Sequence, residues 1–432
     1  MSSRRPNRMS PSPSPSAERG RVLGPLLAGA GLFVATWAAV SFVPVYSQWL
    51  FGDARFYANW GTFIAAHQLP YRDFRIEYPP GSLPMFVAPV YLRKIFGYHG
   101  TYFFWLRFEL LILGLLALGA MALALRALGA SRRRAYAALA LAGVTPLALG
   151  PIALFHYDYW AALFAAGAVA ALVSRRNVLA CALAAAGAAA KIFPLLLIPF
   201  ALFELYRSGR WRAVGKGVGA AALVLLAAVG PFLVWAPQGL WWAVHVELAR
   251  PLEVESFGAS LFGMAHVLGG LHLHVVVSSG GSHGLAGSGP KILSDLFGLA
   301  MIAVVVAIYV RYARGTHTAE ELVAACAAVV VAYIVFSKVF SPQYLVWLSV
   351  LVPLVGGRRG LVASSLLLTI LVATQLWEPY RYGEYFHMSS SYLISLAFVR
   401  NLLVLALLGV LALPQPLERH AEKLDPARAT AV

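Results

Sequence analysis

Residues 104–126 read FWLRFELLILGLLALGAMALALR, and from Leu110 to Leu125 the stretch carries no charged side chain. A helix needs about 20 mostly apolar residues to cross the hydrocarbon core of a bilayer, and this stretch supplies them. Eleven further apolar runs lie at 23–45, 135–153, 158–173, 178–191, 193–206, 217–236, 293–313, 320–338, 343–356, 361–377 and 390–413. Of the 432 residues, 60% are hydrophobic and 12% charged, where an ordinary soluble domain is charged at roughly a quarter of its positions. A water-soluble enzyme, a disordered chain and a fibrous protein are thereby excluded. The expected fold is an all-α polytopic membrane protein, a bundle of about 12 transmembrane helices with outer-face loops and short interfacial helices.

Two of the runs are too short to cross alone. At about 1.5 Å per residue, neither 178–191 nor 193–206 spans a core of about 30 Å. Lys191, Phe193 and Pro194 therefore mark a helix break recessed into the membrane, where a lysine must face a partner or a water-filled cavity. The apolar stretch 82–96 follows Pro80 and contains Pro84 and Pro89, so it reads as a dipping or interfacial segment. Gly29-Ala30-Gly31, with no strand before it, reads as helix packing.

The formal net charge is +16. Basic residues accumulate in cytoplasmic loops, so this excess needs no nucleic acid. With the N-terminal arginines cytoplasmic, the clusters Arg132–Arg134, Arg175-Arg176, Arg207/Arg210/Arg212/Lys216, Arg311/Arg314, Arg358-Arg359 and Arg419/Lys423 all fall on that side. The expected organisation is a disordered cytoplasmic tail at 1–20, a transmembrane domain at 21–415 with outer loops near 46–103 and 237–292, and a cytoplasmic tail at 416–432. The first run reads as a retained span rather than a cleaved signal. Cys181 and Cys326 both lie in apolar runs and suggest no disulfide framework.

The outer loops then hold most of the acids. Asp53, in FGDARFYANW, reads as a general base at the membrane surface or as a helix cap. The segment LPYRDFRIEYPPGSLP at 69–84 adds Asp73 and Glu77, and its Arg72 and Arg75 pair with them or bind a phosphate. His156 and Asp158, in HYD, suit a phosphate-binding histidine and an acceptor-binding acid, or an interfacial cap. Lys191 is a cationic phosphate ligand or a snorkelling lysine. Lys338 and Gln343 flank another outer helix break at Pro342. Glu253, Glu255 and Ser260 lie in a long loop that covers the site, and SSGGSHGLAGSGP at 278–290 reads as flexible. His266, His272, His274 and His283 match no zinc spacing, so no metal is expected. No P-loop, nucleotide-sugar D-x-D or G-x-S-x-G is present, so an activated substrate is expected from within the membrane.

Taken in order, Asp53 with Tyr57, then PYRDFRIEYPP at 70–80, KIFP at 191–194, SFGASL at 256–261 and FSPQYLVW at 340–347 resemble the membrane glycosyltransferases of the C superfamily, specifically glycosyltransferase family 87. The resemblance runs over most of residues 20–360. It implies an inverting transferase that moves a sugar, mannose above others, from a polyprenyl-phosphate donor to a glycolipid or lipid-linked glycan acceptor. It also implies work at the outer face of the cytoplasmic membrane, without a cofactor, and the Ala/Arg-rich composition suits an actinobacterial source. Asp53 would be the catalytic base. Lys191, His156, Arg72, Arg75 and Lys338 would bind the donor phosphate. Tyr57, Asp73, Glu77, Tyr78, Asp158, Ser260 and Gln343 would bind acceptor or sugar. The alternatives are a multi-pass transporter or lipid flippase, and an arabinofuranosyl- or glucosyltransferase of the same superfamily. The partners expected are donor, acceptor and membrane lipids, with no nucleic acid.

Overall fold

A computed structural model describes residues 15–42, 52–278 and 281–413. Residues 1–14 of the expected N-terminal tail and all of 416–432 lie outside the described residues, while Pro15–Gly20 belong to the first helix, α1 (Pro15–Phe42). Helices α2 (Gly52–Ala65) and α3 (Leu83–Ile95) follow. They touch at Gly61, where any Cβ would collide with the carbonyl oxygen of Phe86. At 13 residues α3 measures about 20 Å, short of a span.

The stretch that opens the sequence reading is one unbroken helix, α4 (Tyr102–Ala127), capped by the Thr101 hydroxyl, which accepts from Phe104 N. Helix α5 (Arg132–Leu149) is capped in the same way by Ser131 and packs along α1. A Cβ on Gly29 would lie 2.8 Å from that of Leu139, and the Thr36 hydroxyl donates to Gly143 O across 2.7 Å. Gly29 is thus a helix-packing glycine, and Gly31 faces open space. The chain continues through α6 (Pro151–Phe155), α7 (Asp158–Val173) and α8 (Asn177–Ala190) to a break at Lys191, followed by a 3-10 turn at Phe193–Leu197.

Helix α9 (Ile198–Trp235) differs from expectation, because it joins the runs 193–206 and 217–236 in 38 helical residues. It is not straight. A Cβ on Gly217 would reach within 2.5 Å of Leu205 Cδ1 and 3.1 Å of Leu202 Cδ2, whereas 12 residues of straight helix rise about 18 Å. The chain therefore doubles back near its basic stretch while keeping helical backbone.

The long loop after α9 is folded. It contains α10 (Pro237–Ala249), β1 (Leu252–Glu253), α11 (Phe257–Gly269), β2 (Val275–Val277) and β3 (His283–Leu285), with the strands in the antiparallel order β1-β3-β2. The 278–290 segment is thus not simply a flexible tether: His283–Leu285 pairs on both sides, and α12 (Ser288–Arg314) begins inside it. Helices α13 (Ala319–Phe336), α14 (Leu345–Leu351), α15 (Gly357–Gln375), α16 (Tyr382–Phe386) and α17 (Ser391–Ala412) complete the chain.

The protein is an all-α polytopic membrane protein. Among the described residues, seven helical segments are long and apolar enough to cross a bilayer, in α1, α4, α9, α12, α13, α15 and α17. The expected count of twelve is larger because α7, α8 and the Pro342–Leu354 segment are short and α5 opens on three arginines. The core runs along α13, of whose spanning window 72% is buried, against 11% for the windows in α9 and α12. Cys181 and Cys326 are both free thiols in this interior.

Candidate functional site

Where α8 ends, its neighbours leave a cavity of about 980 Å³. Its wall begins with Asp53, in the first turn of α2. The Tyr78 hydroxyl donates to Asp53 Oδ2 at 3.1 Å, and His156 Nε2 lies 3.8 Å from the same oxygen. Behind them Tyr57, fully buried, stacks on Phe86 at 4.7 Å and meets Tyr78 and Tyr157 edge-on. Asp53 itself faces the cavity. Asp53 sits one residue inside its helix, so its carboxylate also benefits from the positive end of the helix dipole.

The proline-rich loop reaches this wall because its backbone is pressed against α8. A Cβ on Gly81 would lie 2.6 Å from the Ala189 carbonyl carbon, and Trp160 Nε1 donates to Gly81 O at 3.0 Å. Glu77 is held there by Arg250, 3.3 Å away, which also pairs with Glu247 at 3.1 Å. Burial pushes both carboxyls above their ordinary range, and the shared guanidinium works against that shift.

Lys191 lines the same cavity. Its ammonium donates to Asp158 Oδ1 at 2.7 Å and lies about equally over the rings of Tyr157, Tyr344 and Trp347, at 4.9, 5.1 and 5.4 Å. Asp158 is fully buried and also accepts from Trp347 Nε1 at 2.7 Å. One carboxylate and three rings thus stabilise a cation that would otherwise be costly so deep in the protein. The helix break at Lys191, expected from sequence, is what exposes this side chain to the cavity. Farther along the wall, Lys338 Nζ donates to Leu248 O at 2.6 Å, and burial lowers its pKa.

The same cavity is also lined by Glu253, Glu255, His283, Glu378 and Tyr382. Glu253 accepts from Phe340 N at 2.8 Å and from the Ser341 hydroxyl, and burial carries its pKa up to about 7. Burial likewise carries Glu378 up to about 8, against the pull of Arg400. Glu255 is raised well above the usual range by burial and by the neighbouring charges of Glu253 and Glu378.

Of the residues singled out from sequence, Asp53, Glu77, Tyr78, His156, Lys191, Lys338 and Gln343 line this cavity. Tyr57 and Asp158 stand directly behind it, buried. Four others lie apart. Arg72 pairs with Asp73 at 2.9 Å on an exposed part of the loop. Arg75 stacks on Trp242, 4.9 Å from the ring centroid. Ser260 is buried, its hydroxyl donating to Phe257 O within α11. Sequence reading passed over Arg250, Glu247, Tyr344, Glu378 and Tyr382, which all line the cavity. The signal for Glu378 and Tyr382 was present in the acid- and aromatic-rich WEPYRYGEYFH. A lone arginine between a helix end and Pro251 gives no such cue.

A polytopic helical bundle whose cavity brings a carboxylate, a histidine and a lysine together at one helix break has the build of a membrane enzyme. The model of glycosyltransferase family 87 matches residues 76–342. The chain belongs to that family and is a membrane glycosyltransferase. No curated protein matches it.

Proposed function

We propose that the protein transfers a sugar, mannose in the first instance, from a polyprenyl-phosphate donor to a glycolipid or lipid-linked glycan at the outer face of the cytoplasmic membrane. The observation that carries this reading is the Asp53 carboxylate, held by Tyr78 and His156 and sharing one cavity with Lys191. Asp53 takes the proton of an acceptor hydroxyl as its oxygen attacks the anomeric carbon. The phosphate leaves from the opposite face, through an oxocarbenium-like transition state, and the configuration inverts. Lys191, His156 and Lys338 stabilise the charge that develops on the departing phosphate. Arg72 and Arg75, engaged away from the cavity wall, are set aside for that role. Asp158 positions Lys191 rather than touching acceptor, and Tyr57 supports the ring wall behind Asp53.

The test is transfer of label from polyprenyl-phosphate mannose to membrane glycolipid, comparing the parent protein with Asp53→Asn. Loss of labelled product at unchanged protein level is expected; full retained activity would overturn Asp53 as the base. Parallel donors carrying glucose or arabinofuranose decide the sugar.

A further inference from the structure

We propose that the elbow of α9 is a binding site for an anionic phospholipid, with the phosphate held by exposed arginines and a lysine and the acyl chains laid along the apolar flank of the same helix. The elbow lies at the end of α8 away from Lys191 and the cavity, so the inference goes beyond the transferase reading and does not depend on it.

Three elements bring cations here. Arg207, Arg212 and Lys216 lie on α9 and are exposed. A Cβ on Gly217 would lie 3.1 Å from Cys181 Sγ, which seats the elbow against the first turns of α8. Arg175 and Arg176, both exposed, precede that helix and stand about 8 Å of helical rise before Cys181. Near the end of α12 the Tyr312 hydroxyl donates to Glu204 Oε1 at 2.8 Å, which brings the exposed Arg314 to the same place. Glu204 is 8% exposed and already engaged by Tyr312 and by Arg207, 3.2 Å away. Among the described residues, no carboxylate lies within ion-pair distance of Arg175, Arg176, Arg212, Lys216 or Arg314. Like charges gathered in this way repel one another, and an anion placed among them relieves the repulsion.

Basic charge by itself only marks a side of the membrane. The rings beside it narrow the partner. Tyr206 and Trp211 are 47% and 75% exposed and pack on each other with centroids 5.1 Å apart, in the middle of the basic stretch. Rings with one apolar and one polar edge settle at the level of lipid headgroups. Just past Lys216, α9 exposes Val218, Leu223 and Leu226 at 47%, 69% and 62%, and only 11% of its spanning window is buried. Cations, exposed rings and an apolar flank thus follow one another as the phosphate, glycerol and chains of a phospholipid do. A free anion or an acidic peptide would use the cations and leave the rings and flank without a partner. Each cation beside a spanning helix is worth about fivefold in affinity for anionic lipid.

The experiment uses the full chain in dodecyl maltoside micelles, titrated with dioleoyl phosphatidylglycerol or dioleoyl phosphatidylcholine, with bound lipid counted by native mass spectrometry. The parent is expected to prefer phosphatidylglycerol. Arg212→Gln/Lys216→Gln, which breaks no ion pair, is expected to weaken that binding about 25-fold, two cations at fivefold each, with phosphatidylcholine binding unchanged. Arg133→Gln/Arg358→Gln removes the same charge from exposed positions elsewhere and is expected to bind as the parent does. Equal affinity of the parent for both lipids overturns the proposal. So does an equal loss in the second double variant, which would make the preference one of net charge. Displacement of the lipid by inorganic phosphate, beyond that caused by sodium chloride of equal ionic strength, also overturns it, since the elbow would then take a free anion. A second measurement does not rely on the glutamine variants folding. Brominated phosphatidylglycerol is expected to quench tryptophan fluorescence more than brominated phosphatidylcholine does, and Trp211→Phe to remove that excess. An excess that persists in Trp211→Phe places the lipid elsewhere and overturns the proposal.

Discussion

At the start of α13, Glu320 takes both Arg134 nitrogens while Arg134 also donates to Leu354 O, and Glu321 pairs with Arg311 at 3.3 Å and Arg359 at 3.0 Å. Past the other end of the same helix, about 27 Å away by helical rise, Lys338 enters a cavity wall crowded with Glu77, Glu247, Glu253, Glu255 and Glu378. The first end matches each acid to an arginine from another helix and so ties helices together. The second gathers five carboxyls around a cavity, with Arg250 shared between Glu77 and Glu247 and with Glu378 Oε2 left without a hydrogen-bond partner. Stability alone does not favour that arrangement, and crowded, perturbed carboxyls in a cleft are the mark of a working site. The two ends thus separate the structural charges of the chain from the chemical ones.

The sharpest way to break this division is at Asp53. Asp53→Asn keeps the shape and is expected to lower kcat by about 10²–10⁴-fold with melting temperature unchanged, read by transfer of labelled sugar in membranes. A comparable loss from Glu320→Gln would erase the distinction. Next in size is Lys191→Met, which removes a preorganised cation and is expected to lower kcat about 10²-fold. Asp158→Asn, which loosens the same lysine without touching the cavity, should cost less. If Asp158→Asn proves the more damaging in activity while folding normally, Asp158 is more than a positioning residue.

Much of this site was legible because helix breaks announce themselves. Lys191 stands out as a charge between two runs too short to span, and Asp53 as an acid just past an apolar run. Asp158 was visible too, but its role was not: only the fold brings Trp347 and Lys191 onto one carboxylate oxygen. The bend in α9 was read as a loop because four basic residues interrupt the apolar pattern, whereas lysine and arginine sustain helix well. The sheet was missed because strands of two or three residues carry no measurable alternation. Arg250 was missed because its two carboxylate partners, Glu77 and Glu247, lie in different segments.

At the opposite end the expected effect is one of stability. Glu320→Ala frees Arg134 and the Gly356 N–H, 3.2 Å from the carboxylate. Glu320 is 45% exposed, so solvent screens much of the pair and the loss is about 1–2 kcal/mol. Thermal unfolding in detergent should show a lower midpoint with transfer unimpaired. A variant that loses activity at full stability would show that the ion-paired end communicates with the cavity.

The smallest effect concerns pH. Glu253 and Glu378 have folded-state values near 7 and 8 against an ordinary 4.5. Between those limits the folded protein holds more protons than the unfolded chain, so stability falls as pH rises. Its contribution is complete only below the ordinary value and is progressively lost from about pH 5 to 8. Glu378→Gln should flatten the decline of the unfolding midpoint between pH 5 and 8, and Glu320→Gln should leave that decline in place. A parent midpoint that climbs over this range would mean the carboxyls around the cavity are already ionised in the folded state, and the contrast between the two ends would then rest on geometry alone.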